Sequence, residues 1–535
     1  MMHYFLLFDL RFFACLLYTL NNAMSNVGGV FTLITNNGIQ DKLIMAADTL
    51  MDRITSISKA RLAGLRMKYP NLTDAQIVKK DYNWMPTLAS IEKTHIVFVN
   101  ATFKPYVSIA HEYSKTLPRG GRALLGQSFN FTMPVNGEFV NDAVVHIRLD
   151  NFTAISGLDK VRYVELLGHR IMKNVRFKLN QVTLDEYTAD RYNVNWQFKV
   201  PPNKELAYLR SVGQEIPKQG YVTADPLVDE VREYRMVGNG PQTFKNQQPS
   251  IDLWIPLLFW FKDIHSALPN FLFPYGQTDV EIELENEANL VAFANYSGTT
   301  GPVYNSPVVT QCELYLNHIF LDPSIHKIFV KRFGFQLIRV SRTHKISNLK
   351  ASEDSVHLQQ LKWPVECMYV AFRPAANLAN SQRWHRNTAI TSVNYPVAVV
   401  TGGAVIQVNN VVYYDEEPII EALGLKLHDI ILYPELPPTF YNSYIPGQYG
   451  QNIRAPRDLG WNMMNFNFYP NEYQPSGYVN ISQGREFYLQ YRSAIDPALG
   501  QHYIRDNNPV DLIVVADCLN FLLVKDNSAI LRFCT

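Results

Sequence analysis

Glu313–Arg342 reads ELYLNHIFLDPSIHKIFVKRFGFQLIRVSR, and its reading decides the fold class. It opens with the period-two alternation of a β-strand, breaks at Asp322-Pro323, and returns to strand after a short basic segment. Tyr473–Tyr491 (YQPSGYVNISQGREFYLQY) repeats the message: a turn-rich lead, then alternation. Neither stretch has the look of a catalytic site.

Working outward, the same style fills most of the chain. Before the stretch, strands are expected at His95–Asn100, Val175–Leu179 and Val280–Leu284. Phe129–Leu149 reads as a hairpin turning at Asn136-Gly137, where both central residues need positive φ. After that turn, Val145, Ile147 and Leu149 should face one way and Val144, His146 and Arg148 the other. Ile251–Phe261 (IDLWIPLLFWF) is nearly all apolar and suits a strand buried on both faces, with Pro256 demanding an edge or a bulge. After the stretch come Gly334–Val340, Met368–Phe372, Val397–Val408, Phe487–Tyr491, Leu512–Ala516 and Ala529–Phe533. Helical signals are few. The best is Asp48–Lys80, with Thr73 and Asp74 as cap candidates. Asn295–Pro307 (NYSGTTGPVYNSP) is the clearest linker. Two all-β halves of similar size suggest two sandwiches.

Composition narrows the function. Of 535 residues, 47% are hydrophobic and only 18% charged, so the chain can bury large cores and still offer apolar surface for association. The net charge of +1 gives no pull toward nucleic acid, and direct genome binding is not expected. Cys15, Cys312, Cys367, Cys518 and Cys534 are isolated, which fits a reduced compartment and no zinc site. Sequons such as those at Asn100, Asn130 and Asn480 arise by chance in an Asn-rich chain, and glycosylation is not expected.

No catalytic, cofactor-binding or metal-binding residue is expected. His111-Glu112 lacks the second His of a zinc protease motif, no nucleophile elbow or phosphate loop occurs, and the His are scattered. Gly238–Pro241 and Gly402-Gly403 read as turns, Glu416-Glu417 as a solvated loop face, and Arg485-Glu486 as a structural ion pair. The Tyr- and Pro-rich Leu432–Gly450 (LYPELPPTFYNSYIPGQYG) reads as a subunit contact rather than a ligand site, because rigid loops lose little entropy on association.

Taken in order, several segments resemble the major capsid proteins of large nucleocytoplasmic DNA viruses, of the asfarvirus type. In the first half these are Gly28–Asp41 (GGVFTLITNNGIQD), Arg162–Ile171 (RYVELLGHRI) and Pro249–Pro269. In the second they are Glu313–Arg342, Leu361–Met368 (LKWPVECM), Ser443–Gly450 (SYIPGQYG), Tyr473–Tyr491 and the C-terminal NFLLVKDNSAILRFCT. The resemblance runs from about Met24 to Thr535, and the loops of both halves are shorter than in that type.

The resemblance implies an all-β double jelly roll, two eight-stranded antiparallel sandwiches with a short N-terminal arm. It implies division into an arm at 24–90, a first jelly roll at 91–296, a linker at 297–307 and a second jelly roll at 308–535. It implies a non-enzymatic shell protein whose homotrimers form pseudo-hexagonal capsomers tiling an icosahedral virion. Implied partners are itself, neighbouring capsomers, penton and minor capsid proteins, the internal viral membrane through the arm, and a viral folding chaperone. Assembly is expected at host cytoplasmic viral factories. Residues 1–23 (MMHYFLLFDLRFFACLLYTLNNA) are apolar, but Asp9 and Arg11 interrupt them and no positive region precedes them. They are expected to be upstream sequence from a misplaced start codon, with a membrane-directed extension as the alternative.

Overall fold

The computed structural model describes residues 59, 62–74, 76–77 and 109–533, apart from 215–217, 226–227, 238–243, 274–275, 299, 322–334, 381–382, 402–403, 450–451, 482–485, 498 and 526–527. For 218–225, 228–237, 392–401, 404–415, 525 and 528 it gives the backbone alone. The prefix 1–23, most of the arm, the strand expected at His95–Asn100, the turn expected at Gly238–Pro241 and Arg485 lie outside the described residues.

Eight strands build the first sandwich. They are β1 (Ile109–Thr116), β2 (Ser128–Thr132), β3 (Phe139–Leu149), β4 (Met172–Leu179), β5 (Val182–Thr188), β6 (Ile251–Pro256), β7 (Thr278–Leu284) and β8 (Val309–Leu321). One sheet runs β1-β8-β3-β6 and the other β2-β7-β4-β5. The second sandwich uses β9 (Phe335–Leu349), β10 (Glu353–His357), β11 (Pro364–Pro374), β12 (Ile420–Leu427), β13 (Ile430–Leu436), β14 (Trp461–Asn465), β15 (Phe487–Ser493) and β16 (Val510–Lys525). Its sheets run β9-β16-β11-β14 and β10-β15-β12-β13. Numbered within each sandwich, both read 1-8-3-6 over 2-7-4-5. That wrapping order is the jelly roll, and it occurs twice.

Alternation drives the first core. Val145, Ile147 and Leu149 of β3 are fully buried while Arg148 is exposed, and Val175, Phe177 and Leu179 of β4 face Ile282, Val280 and Thr278 of β7 in register. His146 points away from that core as expected, but it is covered on the outer face by Trp254, with their rings stacked at 4.2 Å.

Three expectations are corrected. Phe129–Leu149 is not a hairpin, because β2 and β3 belong to opposite sheets. Neither Asn136 nor Gly137 has positive φ. Gly137 is needed for close approach instead, since a Cβ there would lie 2.9 Å from the Ile319 carbonyl oxygen. The tight turn with two positive φ values is Asn180-Gln181, between β4 and β5. The Ile251–Phe261 run is half strand and half plug. β6 stops at Pro256 on the edge of its sheet, with Trp254 41% exposed, so it is not buried on both faces. Phe259, Trp260 and Phe261 then turn inward around Phe177 at 5.6, 5.2 and 5.3 Å. Finally, β8 follows the expected 297–307 linker yet pairs within the first sandwich. That segment joins two strands of one jelly roll; the second begins at β9.

Smaller readings also shift. Val397–Val408 is not one strand: Thr388–Thr401 and Ala404–Pro418 pair as a long hairpin around 402–403. Glu416 and Glu417 end its second strand rather than lining a solvated loop. Glu416 holds Arg386 at 2.8 Å, and Glu417 accepts from Tyr503 at 2.9 Å. In the arm, helix covers 62–68 and resumes at 74, so the helical signal of Asp48–Lys80 is interrupted around Pro70. Thr73 caps the second piece, and Gln76 Oε1 accepts from its backbone N–H and hydroxyl at 3.0 and 3.1 Å.

Candidate functional site: the seam between the sandwiches

The chain's longest all-buried strand is a clue to where its chemistry lies. Every residue of β11 is buried, and so is every residue of β14. A sandwich strand needs burial on one face only, so something covers the other. The cover is α1 (Ala189–Val194) and the π-helical turn Asn195–Lys199 that continues it, between β5 and β6 of the first sandwich. Val194 and Phe198 press onto Cys367, Tyr369 and Ala371 of β11, Trp461 and Met463 of β14, and Ile513 and Val515 of β16. The Phe198 and Tyr369 ring centroids are 4.7 Å apart. On β16, Leu512, Val514 and Ala516 fill the sandwich core while Ile513, Val515 and Asp517 face the seam.

Buried ion pairs frame this apolar patch. Asp517 of β16 receives Arg191 Nη1 and Lys199 Nζ, each at 2.6 Å. Burial alone would raise the Asp517 carboxyl, but the two cations outweigh it and hold the group well below the usual carboxylate range. Lys199 is lowered by burial and by neighbouring Arg191, against the pull of Asp517. Arg373, at the end of β11, pairs with Asp190 of α1 and donates from Nε to Asn387 Oδ1 at 3.3 Å. Arg342 of β9 stands 3.8 Å from Asp185 of β5. Burial pushes Asp185 up to about 7, more than Arg342 and Arg191 restore.

Two further clamps close the seam. Arg454 lies over the Trp196 ring at 4.7 Å, donates to the Trp196 and Gln197 carbonyls, and pairs with Glu205 at 3.2 Å. Gln197 Oε1 accepts from the backbone N–H of Arg457 and Asp458 at 2.8 and 3.2 Å. Asp458 in turn accepts from Asn387 N–H and Gly460 N–H, each at 2.9 Å. Gly460 cannot be larger, because a Cβ would sit 2.2 Å from the Asn387 carbonyl oxygen. Trp384, fully buried, donates to the Glu165 carbonyl at 2.9 Å and carries Arg170 over its ring at 4.9 Å. His385 sits 3.4 Å from Glu165; burial, with nearby Arg386, His169 and Arg373, keeps its imidazole neutral.

The arrangement holds the two sandwiches together through an apolar patch and buried ion pairs. Among the described residues no group of three His, Cys, Asp or Glu could hold a metal ion, and no helix is long and apolar enough to cross a membrane. Cys312, Cys367 and Cys518 are buried free thiols. The expected contact strip Leu432–Gly450 divides. Tyr441 is core, donating to the Leu423 and Pro434 carbonyls, whereas Tyr444 and Tyr449 are exposed. Phe468, Tyr469, Tyr473 and Tyr478 extend the exposed aromatic set beyond that strip. Sequence reading did not find the seam. Its signal was present in the mostly apolar run LIVVADCLNFLLV of β16, broken only by Asp517 and Asn520 among residues that suit a two-sided core.

Comparison with known proteins follows this geometry. A family model described as the large eukaryotic DNA virus major capsid protein matches residues 321–531, and one described as the major capsid protein N-terminus matches 98–322. The hexon protein p72 of African swine fever virus (isolate Tick/Malawi/Lil 20-1/1983) is 29% identical, the match covering 95% of this chain and 100% of that protein. The major capsid protein of the Warthog/Namibia/Wart80/1980 isolate is 28% identical with the same coverage. Each alignment runs over 671 positions, more than this chain has residues, so the relatives carry insertions. The solved Faustovirus major capsid protein matches with a TM-score of 0.70 and 29% identity, over 91% of this chain and 100% of that one. PBCV-1 VP54 shares the fold at a TM-score of 0.57 and 16% identity, over 81% and 98%.

Proposed function

The chain belongs to the major capsid proteins of large eukaryotic DNA viruses, and from that premise we propose that three copies close into a pseudo-hexagonal capsomer that tiles an icosahedral shell. The observation that carries this is the repeated 1-8-3-6 over 2-7-4-5 topology, locked by the seam. Three chains, each offering two like sandwiches, approximate a hexagon, and threefold rotation closes one repeated heterologous interface. Such an interface should bury on the order of 2,000–5,000 Å². The exposed Tyr444, Tyr449, Phe468 and Tyr469 supply aromatic surface suited to it. Two-dimensional averages of the soluble particle by electron microscopy test the reading: a six-lobed ring supports it, and a two-lobed particle contradicts it.

The protein's place is the virion, as for its relatives, and its assembly site is the cytoplasmic viral factory. The relatives are capsid and hexon proteins, which supports a structural rather than enzymatic role. The boundary between the jelly rolls falls between Leu321 and Phe335; the last strand of the first sandwich and the junction of the two family matches support it. Penton and minor capsid proteins are the neighbours that a closed icosahedron requires, and the N-terminal arm is the segment directed at the internal membrane. Most strand pairs here join residues far apart in sequence, which slows folding and exposes edges to aggregation, so a viral chaperone assists. Equal yields of soluble trimer with and without such a partner would dispose of that last point.

A further inference from the structure

A cavity of about 330 Å³ opens on the seam, walled by both sandwiches. The first contributes Arg191, Lys199, Trp260 and Lys262; the second contributes Arg339 and Tyr473. Four of these six side chains are cations. Three carboxylates answer them. Asp517 bridges Arg191 and Lys199, Glu366 takes Arg339 at 2.6 and 3.2 Å, and Asp263 lies in the wall, already accepting from the His265 N–H. Lys262 is left over. It remains open to solvent inside the concavity, and among the described residues no carboxylate reaches ion-pair distance of it. The surrounding protein lowers its ammonium, against attraction from Asp142, and Lys199, Arg191 and Lys204 add repulsion.

The wall also carries unmet donors. Arg191 Nε and Trp260 Nε1 are buried, and neither has a hydrogen-bond partner. Both are donors, so what the cavity lacks is acceptor oxygen. Water fills such positions singly but brings no charge to oppose the crowded cations. A molecule with several anionic oxygens does both, and clustered Arg and Lys favour phosphate. The volume is at the small end of ligand sites, so the occupant is compact.

We infer that this cavity binds a small polyphosphate anion, which bridges the seam and ties the two sandwiches together. Bound to the folded form alone, it raises stability by mass action. Apart from Tyr473 at its wall, its lining holds none of the exposed aromatics, and Tyr444, Tyr449, Phe468 and Tyr469, which serve the trimer, lie outside it, so it stands or falls apart from the trimer.

Isothermal titration of the full chain with inorganic tripolyphosphate, in about 0.15 M salt to screen loose surface binding, is the test. One site per chain and a raised melting temperature are expected. Lys262→Ala should weaken binding about tenfold or more, the loss of one charge-assisted contact. It should leave the ligand-free melting temperature unchanged, because Lys262 holds no ion pair. Lys160→Ala, on an exposed strand end, is the control and should bind like the parent. ATP titrated in parallel separates the sources: tighter binding than tripolyphosphate means that the Trp260 and Tyr473 walls also hold a base. No binding, several sites per chain, or equal weakening by the two variants overturns the inference.

Discussion

Asp517 is the residue on which the seam turns. Removing it strands Arg191 and Lys199 in a buried site, so Asp517→Ala should cost about 3–5 kcal/mol in chemical denaturation. Because its folded pKa is depressed, its contribution is complete above the unfolded value near ~4 and fades as pH falls below it. Asp185 acts in the opposite sense. Its carboxyl holds a proton up to about 7 in the fold but releases it near ~4 when unfolded. Folding is therefore progressively disfavoured as pH rises between those values, by a few kcal/mol at most on the order of its shift. The parent's urea midpoint should fall from pH 4.5 to pH 7.5, and Asp185→Asn should flatten that fall; a parallel slope in the variant would refute the assignment. Gly460→Ala tests close packing. Its Cβ would meet backbone, which cannot swing aside, so the variant should lose about 1–3 kcal/mol or more and most of its soluble yield.

At the scale of elements, α1 and its π turn decide whether the molecule has two cores or one. Phe198→Ala opens a hole against Tyr369 and should cost about 3–5 kcal/mol. Because that loss falls on the seam, calorimetry should show the parent's single transition divide into two as the sandwiches uncouple; one transition at lower temperature would mean that the clamps at Arg454 and Trp384 suffice. The elements also show what a sequence can and cannot disclose. A short apolar run placed β16, which is buried on both faces, and alternation placed β4, β7, β8 and β15, because one face of each meets a core more closely than the other. It misplaced the hairpin at Asn136-Gly137, since turn chemistry describes a dipeptide while sheet membership depends on partners far away in sequence. It overstated Ile251–Phe261 for a related reason: a continuous apolar run says that side chains are buried, not that the backbone stays extended. The seam left one local mark, the acid Asp517 within the apolar run of β16, and nothing there names its partners. Arg191, Lys199 and Asp517 are separated by hundreds of residues on one side and eight on the other, and only the fold brings them together.

For the whole molecule, the duplicated jelly roll was reached through resemblance rather than pattern, because period-two strands serve any sandwich and strand order is non-local. What the structure adds is a reason why one chain can serve as a third of a hexagon. Two sandwiches tied by buried charge, an apolar plug and an Arg–Trp clamp move as a unit, so association need not also order them. Surface for that association remains, in exposed Tyr444, Phe468 and Tyr469. The direct test is the mass of the purified full chain by light scattering after size exclusion, repeated on dilution. A species of three chain masses that persists on dilution is the expected result. A clean monomer at every concentration would contradict the capsomer.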